Sequence, residues 1–107
     1  MTSPLSVRRG GLYLSGDLYD RHFAGIDAVI LLRRDDDLVV LPVHHAAAGG
    51  YLLKLRNAAG DRVVHAADFF RAQGIEDGTE LRLTASWSPA FAGLLSDGAF
   101  RKHGAVA

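Results

Sequence analysis

The chain has no cysteine, which excludes disulfide bridges, thiolate nucleophiles and cysteine-held zinc or iron–sulfur centres. It also lacks a charge excess, because twelve basic and twelve acidic side chains cancel. That balance argues against a strong, sequence-blind grip on nucleic acid, where phosphate neutralisation supplies most of the affinity. A local basic face is still compatible with it. The longest apolar runs, residues 28–32 and 38–43, are too short to cross a bilayer, so no membrane contact is expected. The opening Met-Thr-Ser-Pro-Leu-Ser-Val-Arg-Arg has no apolar run behind its first residues. No secretory leader is therefore expected, and the cytoplasm is the expected location.

What is present reads as one folded domain over residues 1–107, with 49% apolar residues to build a core. Residues 28–32 and 38–43 are β-rich runs flanking the polar break Arg33-Arg34-Asp35-Asp36-Asp37, which predicts a hairpin. A second hairpin is expected from residues 51–56 and 61–65 around Asn57-Ala58-Ala59-Gly60. In its first strand Tyr51, Leu53 and Leu55 alternate with Lys54 and Arg56, so the two cations are expected on the opposite face. A short helix over residues 66–73, stopped by Gly74, precedes an alternating strand whose Leu81, Leu83, Ala85 and Trp87 share a face. Residues 91–95 are expected to return as the last strand, and residues 96–107 to form a polar, frayed tail.

The same order of signals occurs earlier in the chain. Residues 5–9 read as a strand, Gly10-Gly11 as a turn and residues 12–14 as a strand, with Ser15 as N-cap of a helix over residues 16–23. The hairpin of residues 28–43 then completes the unit. A shift of fifty lays Tyr13 and Leu14 on Val63 and Val64, Tyr19 on Phe69 and Arg21 on Arg71; one inserted residue later, Gly25-Ile26-Asp27 falls on Gly74-Ile75-Glu76. A tandem of two β-β-α-β-β units is therefore expected, about residues 5–43 and 51–95, joined by a linker over residues 44–50. The fold class is mainly β with two short helices.

The second copy carries the more specific pattern: Gly60-Asp61-Arg62-Val63-Val64, the helix end Phe70-Arg71-Ala72-Gln73-Gly74-Ile75, and Asp77-Gly78-Thr79-Glu80-Leu81-Arg82-Leu83. It resembles the AbrB/MazE/MraZ group, which has a "G-R-V-V-hydrophobic-P" strand, a helix ending "L-R-x-x-G-I" and an "x-x-G-D-x-L" strand opening. Here Asp61 intervenes after the turn glycine, Ala66 stands near the family's proline and Thr79 replaces the usual aspartate. The first copy is more diverged. The resemblance implies a swapped-hairpin β-barrel, as a homodimer or as one pseudo-dimeric chain. It also implies DNA contact through arginines on the first strands and turns, which here match Arg8, Arg9, Lys54, Arg56 and Arg62. Such cations suit phosphate or guanine in a major groove, but they equally suit solvated strand faces.

No catalytic constellation stands out, so no enzyme and no cofactor are expected. Ser86, Ser88 and Ser96 lack a glycine-flanked elbow. Adjacent His44 and His45 would point to opposite strand faces, His22 and His65 add no ligand spacing, and Asp35-Asp36-Asp37 lacks the spacing of a calcium loop. Ion pairs of Arg71 with Asp68 or Glu76, and of Arg21 with Asp17, are expected. Two functions follow from different classes. One is a DNA-binding regulator or antitoxin-like protein. The other is an accessory subunit that meets a protein partner through a patch around Tyr13, Tyr19 and Phe23.

Overall fold

A computed structural model describes residues 2–44 and 49–101. Its strands are β1 (Ser3–Arg8), β2 (Gly11–Leu14), β3 (Ala28–Arg34), β4 (Asp37–Val43), β5 (Tyr51–Leu52), β6 (Lys54–Leu55), β7 (Arg62–His65), β8 (Leu81–Ser88) and β9 (Gly93–Ser96). Helix α1 (Gly16–His22) follows β2, and α2 (Ala67–Ala72) follows β7. All strand pairs are antiparallel, in the order β5-β3-β4-β9-β8-β1-β2-β7-β6. The ends of that order, β5 and β6, are neighbours in sequence separated only by Leu53. The segment leaves β3 at one side and joins β7 at the other, so the sheet curls into a nearly closed barrel. Across the barrel, β8 plays a similar part: residues 81–85 bond β1, and residues 86–88 bond β9.

Alternation explains the core. Leu5, Val7, Leu12, Leu14, Val64, Leu81 and Leu83 point inward from one half of the barrel, and Val29, Leu31, Leu38, Val40 and Leu94 from the other. Phe23 closes one end from behind α1, edge-on to Trp87, whose ring stacks on His22 at 5.0 Å. Phe70 and Phe100, with ring centroids 6.5 Å apart, lie with Phe69 as a second aromatic group. Ser15 caps α1 as expected, its Oγ accepting from the Leu18 N–H at 3.1 Å.

The two tight turns each dock on a helix start. The Ala66 N–H, at the head of α2, donates to the Gly10 carbonyl at 2.9 Å. The Gly16 N–H, at the head of α1, donates to the Asp61 carboxylate at 2.8 Å.

Several expectations need correction. The first hairpin turns at Arg9-Gly10, not Gly10-Gly11, since Arg8 pairs with Gly11. The strand expected over residues 51–56 is broken: Leu53 is buried and its N–H leaves the ladder for the Asp27 carbonyl, whereas Leu55 is 65% exposed. The tail begins later than composition suggests. Ser96 ends β9 and donates its hydroxyl to the Thr84 carbonyl, and Ala99 and Phe100 are buried. Within the expected linker only His44, Gly49 and Gly50 are described; His45 lies outside the described residues. Among the described residues no helix is long and apolar enough to cross a membrane.

Candidate nucleic-acid interface

Directly opposed residues in an antiparallel ladder share a face. Register therefore assigns the exterior of the half built from β8, β1, β2, β7 and β6. One row across it is Arg82, Ser6, Tyr13, Val63 and Lys54. The next outward row contains Arg8, Gly11 and His65. Four of the five matched cations belong to this exterior or its rim, and the fifth does not.

Tyr13 is the centre of the face. The Arg8 guanidinium lies 4.3 Å and the Arg56 guanidinium 5.0 Å from its ring centroid, both within cation–π range. Stacking restrains two otherwise mobile side chains, which lowers the entropy lost when they hold an anion. Arg9 sits at the hairpin tip with φ 50°, followed by Gly10 at φ 76°. Two consecutive positive φ values are what a two-residue hairpin turn of matching twist requires, and they project Arg9 beyond the strand ends. Keeping a non-glycine residue there costs of order 1 kcal/mol.

Two shallow, adjoining grooves run along this surface. One, of about 480 Å³, is lined by Arg8, Arg9, Tyr13, Thr79 and Glu80 with Asp77 and Gly78. The other, of about 390 Å³, is bordered by Ser6, Arg8, Tyr13, Arg56, Glu80 and Arg82. Together their walls carry four guanidiniums and two carboxylates. Glu80 lies 3.8 Å from Arg8, an exposed contact that contributes little. Asp77 is bound by Arg71 at 3.1 Å, so part of its charge is answered outside the groove.

Lys54 is exposed at the far edge, beside Val63. Arg62 is turned away. It pairs with inward-facing Leu14, its guanidinium sits 3.8 Å from the Tyr19 ring centroid, and its Nη1 donates to the Gly60 carbonyl at 2.6 Å. Its place at the barrel end is a packing position and leaves it off the shared face. Conversely, Arg82 and Tyr13 belong to the site although sequence reading gives Arg82 no role and puts Tyr13 in a patch for a protein partner. Arg82 alternates with Leu81 and Leu83, which marks it as outward, but the β1–β8 pairing that brings it beside Ser6 has no local signal.

The patch expected around Tyr13, Tyr19 and Phe23 does not form. Phe23 is in the core, Tyr19 donates its hydroxyl to the Ile26 carbonyl beneath Arg62, and Tyr13 faces the arginines. Arg71 pairs with Asp77, not with Asp68 or Glu76, and Arg21 donates to the Ser3 hydroxyl at 3.1 Å, not to Asp17. Among the described residues no group of three or more histidines or carboxylates is placed to hold a metal ion.

Asp61 organises the turn beside this face. Hydrogen bonds from the Asn57 amide and then the Gly16 N–H hold its carboxyl below its ordinary pKa. His22 is also lowered, chiefly by burial and secondly by the Arg21 charge. Fold and site define a small antiparallel β-barrel with one cationic, aromatic-centred exterior. No family model, no curated protein and no solved structure matches the chain.

Proposed function

We propose that this chain is a non-enzymatic, AbrB-like regulator, cytoplasmic, that binds duplex DNA through the exterior of β1, β2, β6, β7 and β8. The carrying observation is the convergence of Arg8, Arg9, Arg56 and Arg82 around Tyr13 on one surface. Planar guanidiniums bind phosphate or the guanine edge in a bidentate way, and a two-stranded ribbon fits a major groove. Lys54 adds a peripheral phosphate contact, and Arg62 is outside the footprint.

The family part of the proposal rests on a tandem β-β-α-β-β reading, with β5 and β6 taken as one strand. Exchanging the two units carries β1·β2 onto β6·β7, β3·β4 onto β8·β9 and β1·β8 onto β5·β3. The pairs β2·β7 and β4·β9 map onto themselves. The docking of Gly10 on the head of α2 and of the Gly60–Asp61 turn on the head of α1 is exchanged in the same way. Reciprocal docking of this kind is what interlaced hairpins produce, and it supports reading the chain as a pseudo-dimer.

The test is fluorescence anisotropy with labelled duplexes, including the promoter upstream of the chain's own gene, over a salt series. Binding should weaken with salt at a log–log slope of about −3 to −4, the value for three or four neutralised phosphates. Arg8→Ala with Arg56→Ala should reduce that slope by about two, while Arg62→Ala leaves it unchanged. Absence of binding to every duplex at low salt removes the proposal.

A further inference from the structure

The two hairpin tips that flank the cationic exterior are not alike. The β2–β7 ladder pairs Tyr13 with Val63, with Leu12–Val64 on one side and Leu14–Arg62 on the other. Its antiparallel register puts the Arg9-Gly10 turn at the His65 end and the turn of residues 57–60 at the Leu14 end. Ser6 pairs with Tyr13 as Lys54 pairs with Val63. Arg8 stands opposite Gly11 as Arg56 stands opposite Asp61, whose carbonyl takes the Arg56 N–H at 2.8 Å. Arg8 and Arg56 are therefore counterparts across the Tyr13–Val63 pair, and both guanidiniums lie over the Tyr13 ring. Gly10 and Gly60 each precede that pair by three residues. The tips are thus about 20 Å apart at about 3.4 Å per residue.

At the first tip Arg9 is exposed and held ahead of the strand ends by the positive φ values of the turn. The neighbouring carboxylates, Glu80 and Asp77, each stand beside an arginine, Arg8 and Arg71. The second tip, Asn57-Ala58-Ala59-Gly60, carries no cation. Its one polar side chain is engaged within the turn. Asn57 Oδ1 accepts from the Ala59 and Asp61 N–H groups at 3.1 and 3.2 Å, and the Asn57 amide donates to the Asp61 carboxylate at 3.1 Å. Asp61, next in sequence, adds a negative charge at that end, which opposes phosphate. Arg82 tilts the balance the same way. It stands beside Ser6 on the β1 side, whereas β6 ends the strand order and has β7 as its one ladder partner among the described residues.

We infer that the chain reads one asymmetric half-site: the Arg9 tip enters a groove of the DNA, and the tip of residues 57–60 stays outside. This rests on the DNA-binding reading given above. A palindromic site mirrors a protein whose two halves present the same contacts. Here Arg8 and Arg56 supply matched phosphate contacts on either side of the centre, whereas the cation placed to reach bases is present once. A guanidinium at a hairpin tip can take O6 and N7 of one guanine in a bidentate way. The span from the Tyr13–Val63 pair to the Arg9 tip is about 10 Å, which covers about three base pairs at about 3.4 Å each. One chain then occupies one short, directional site.

Selection of bound duplexes from a randomised library, followed by anisotropy titrations of the selected sequence, tests this. The expected motif is a single directional run of about three or four base pairs without two-fold symmetry. Arg9→Gly keeps the turn, because glycine accepts its positive φ. It should weaken binding to the selected duplex by about tenfold or more and to an unrelated duplex much less, since one bidentate base contact is lost. Ala58→Glu puts a carboxylate on the second tip, about 20 Å from Arg9 and well beyond the Debye length of about 8 Å in physiological salt. It should change affinity by less than about twofold. A palindromic motif, binding indifferent to sequence, or a loss in Ala58→Glu equal to that in Arg9→Gly would each overturn the half-site while leaving DNA binding in place. Failure to bind any duplex removes the DNA reading itself, and this inference with it.

Discussion

Gly10 and Gly16 occupy places where a methyl group has no room. A Cβ on Gly10 would lie 2.5 Å from the Ala67 Cβ, and φ there is +76°. A Cβ on Gly16 would meet the Ala59 carbonyl oxygen at 2.8 Å. Gly10→Ala combines left-handed strain with a backbone clash and is expected to cost about 3 kcal/mol or more in a urea melt. Gly25→Ala faces no neighbour within 4 Å and pays only for its φ of +79°, about 1 kcal/mol. The comparison separates turn conformation from turn docking.

Two titrating residues shape the acid side of the pH profile, each over its own pH range. Asp61 has a lowered folded-state pKa, so its contribution is present above the unfolded value of about 3.9 and lost as pH falls through the folded one. Asp61→Asn should flatten the acid limb of a stability-versus-pH curve. His22 is also lowered, but it is the neutral form that the fold prefers. Stability therefore falls as pH drops below about 6.5, until His22 is protonated in the folded state too. His22→Phe, which retains a ring against Trp87, should remove that part of the slope while thermal stability at pH 8 changes little.

At the scale of elements, local chemistry was readable and long-range chemistry was not. Ser15 before an apolar-periodic run is a cap signal, and its hydroxyl takes the bond that signal implies. Ser15→Ala should cost about 1 kcal/mol. The β3–β4 hairpin was legible from its β-branched residues around a polar break. The break at Leu53 was not, because the alternation of Tyr51, Leu53 and Leu55 describes a straight strand. The bond from Leu53 to Asp27 that bends it involves a residue 26 positions away. The start of the tail is hidden in the sequence for a related reason. Apart from Phe100, residues 96–101 are polar or small in composition, yet Gly98 donates its N–H to Asp37 at 2.7 Å and Phe100 donates its N–H to the Asp36 carbonyl at 2.7 Å. Those bonds anchor Phe100 in the core, so Phe100→Ala should cost about 3–4 kcal/mol by chemical denaturation. A surface tail residue would change stability by less than about 0.5 kcal/mol.

For the molecule as a whole, sequence shows which residues face in or out along each strand but not which strands are neighbours. Alternation marks Lys54 and Arg56 as outward cations, whereas Arg8, Arg9 and Arg62 are matched only through the family resemblance, and the pairing of Arg62 with Leu14 takes it off the face. Arg82 joins the face only through the β1–β8 ladder.

The β1–β8 ladder also has a consequence for synthesis. Ser3 is made 82 residues before its partner Ala85, which comes near the end of the barrel. At roughly 5–20 residues per second, β1 leaves the ribosome several seconds before β8 can reach it. During that interval one edge of the β1–β2 hairpin has no partner, and the chain cannot close by halves. A transcript that stalls translation between β7 and β8 would therefore release a product with an open sheet edge, and such edges recruit other chains. The protein is thus more exposed to aggregation during its making than its nearly edgeless folded form suggests.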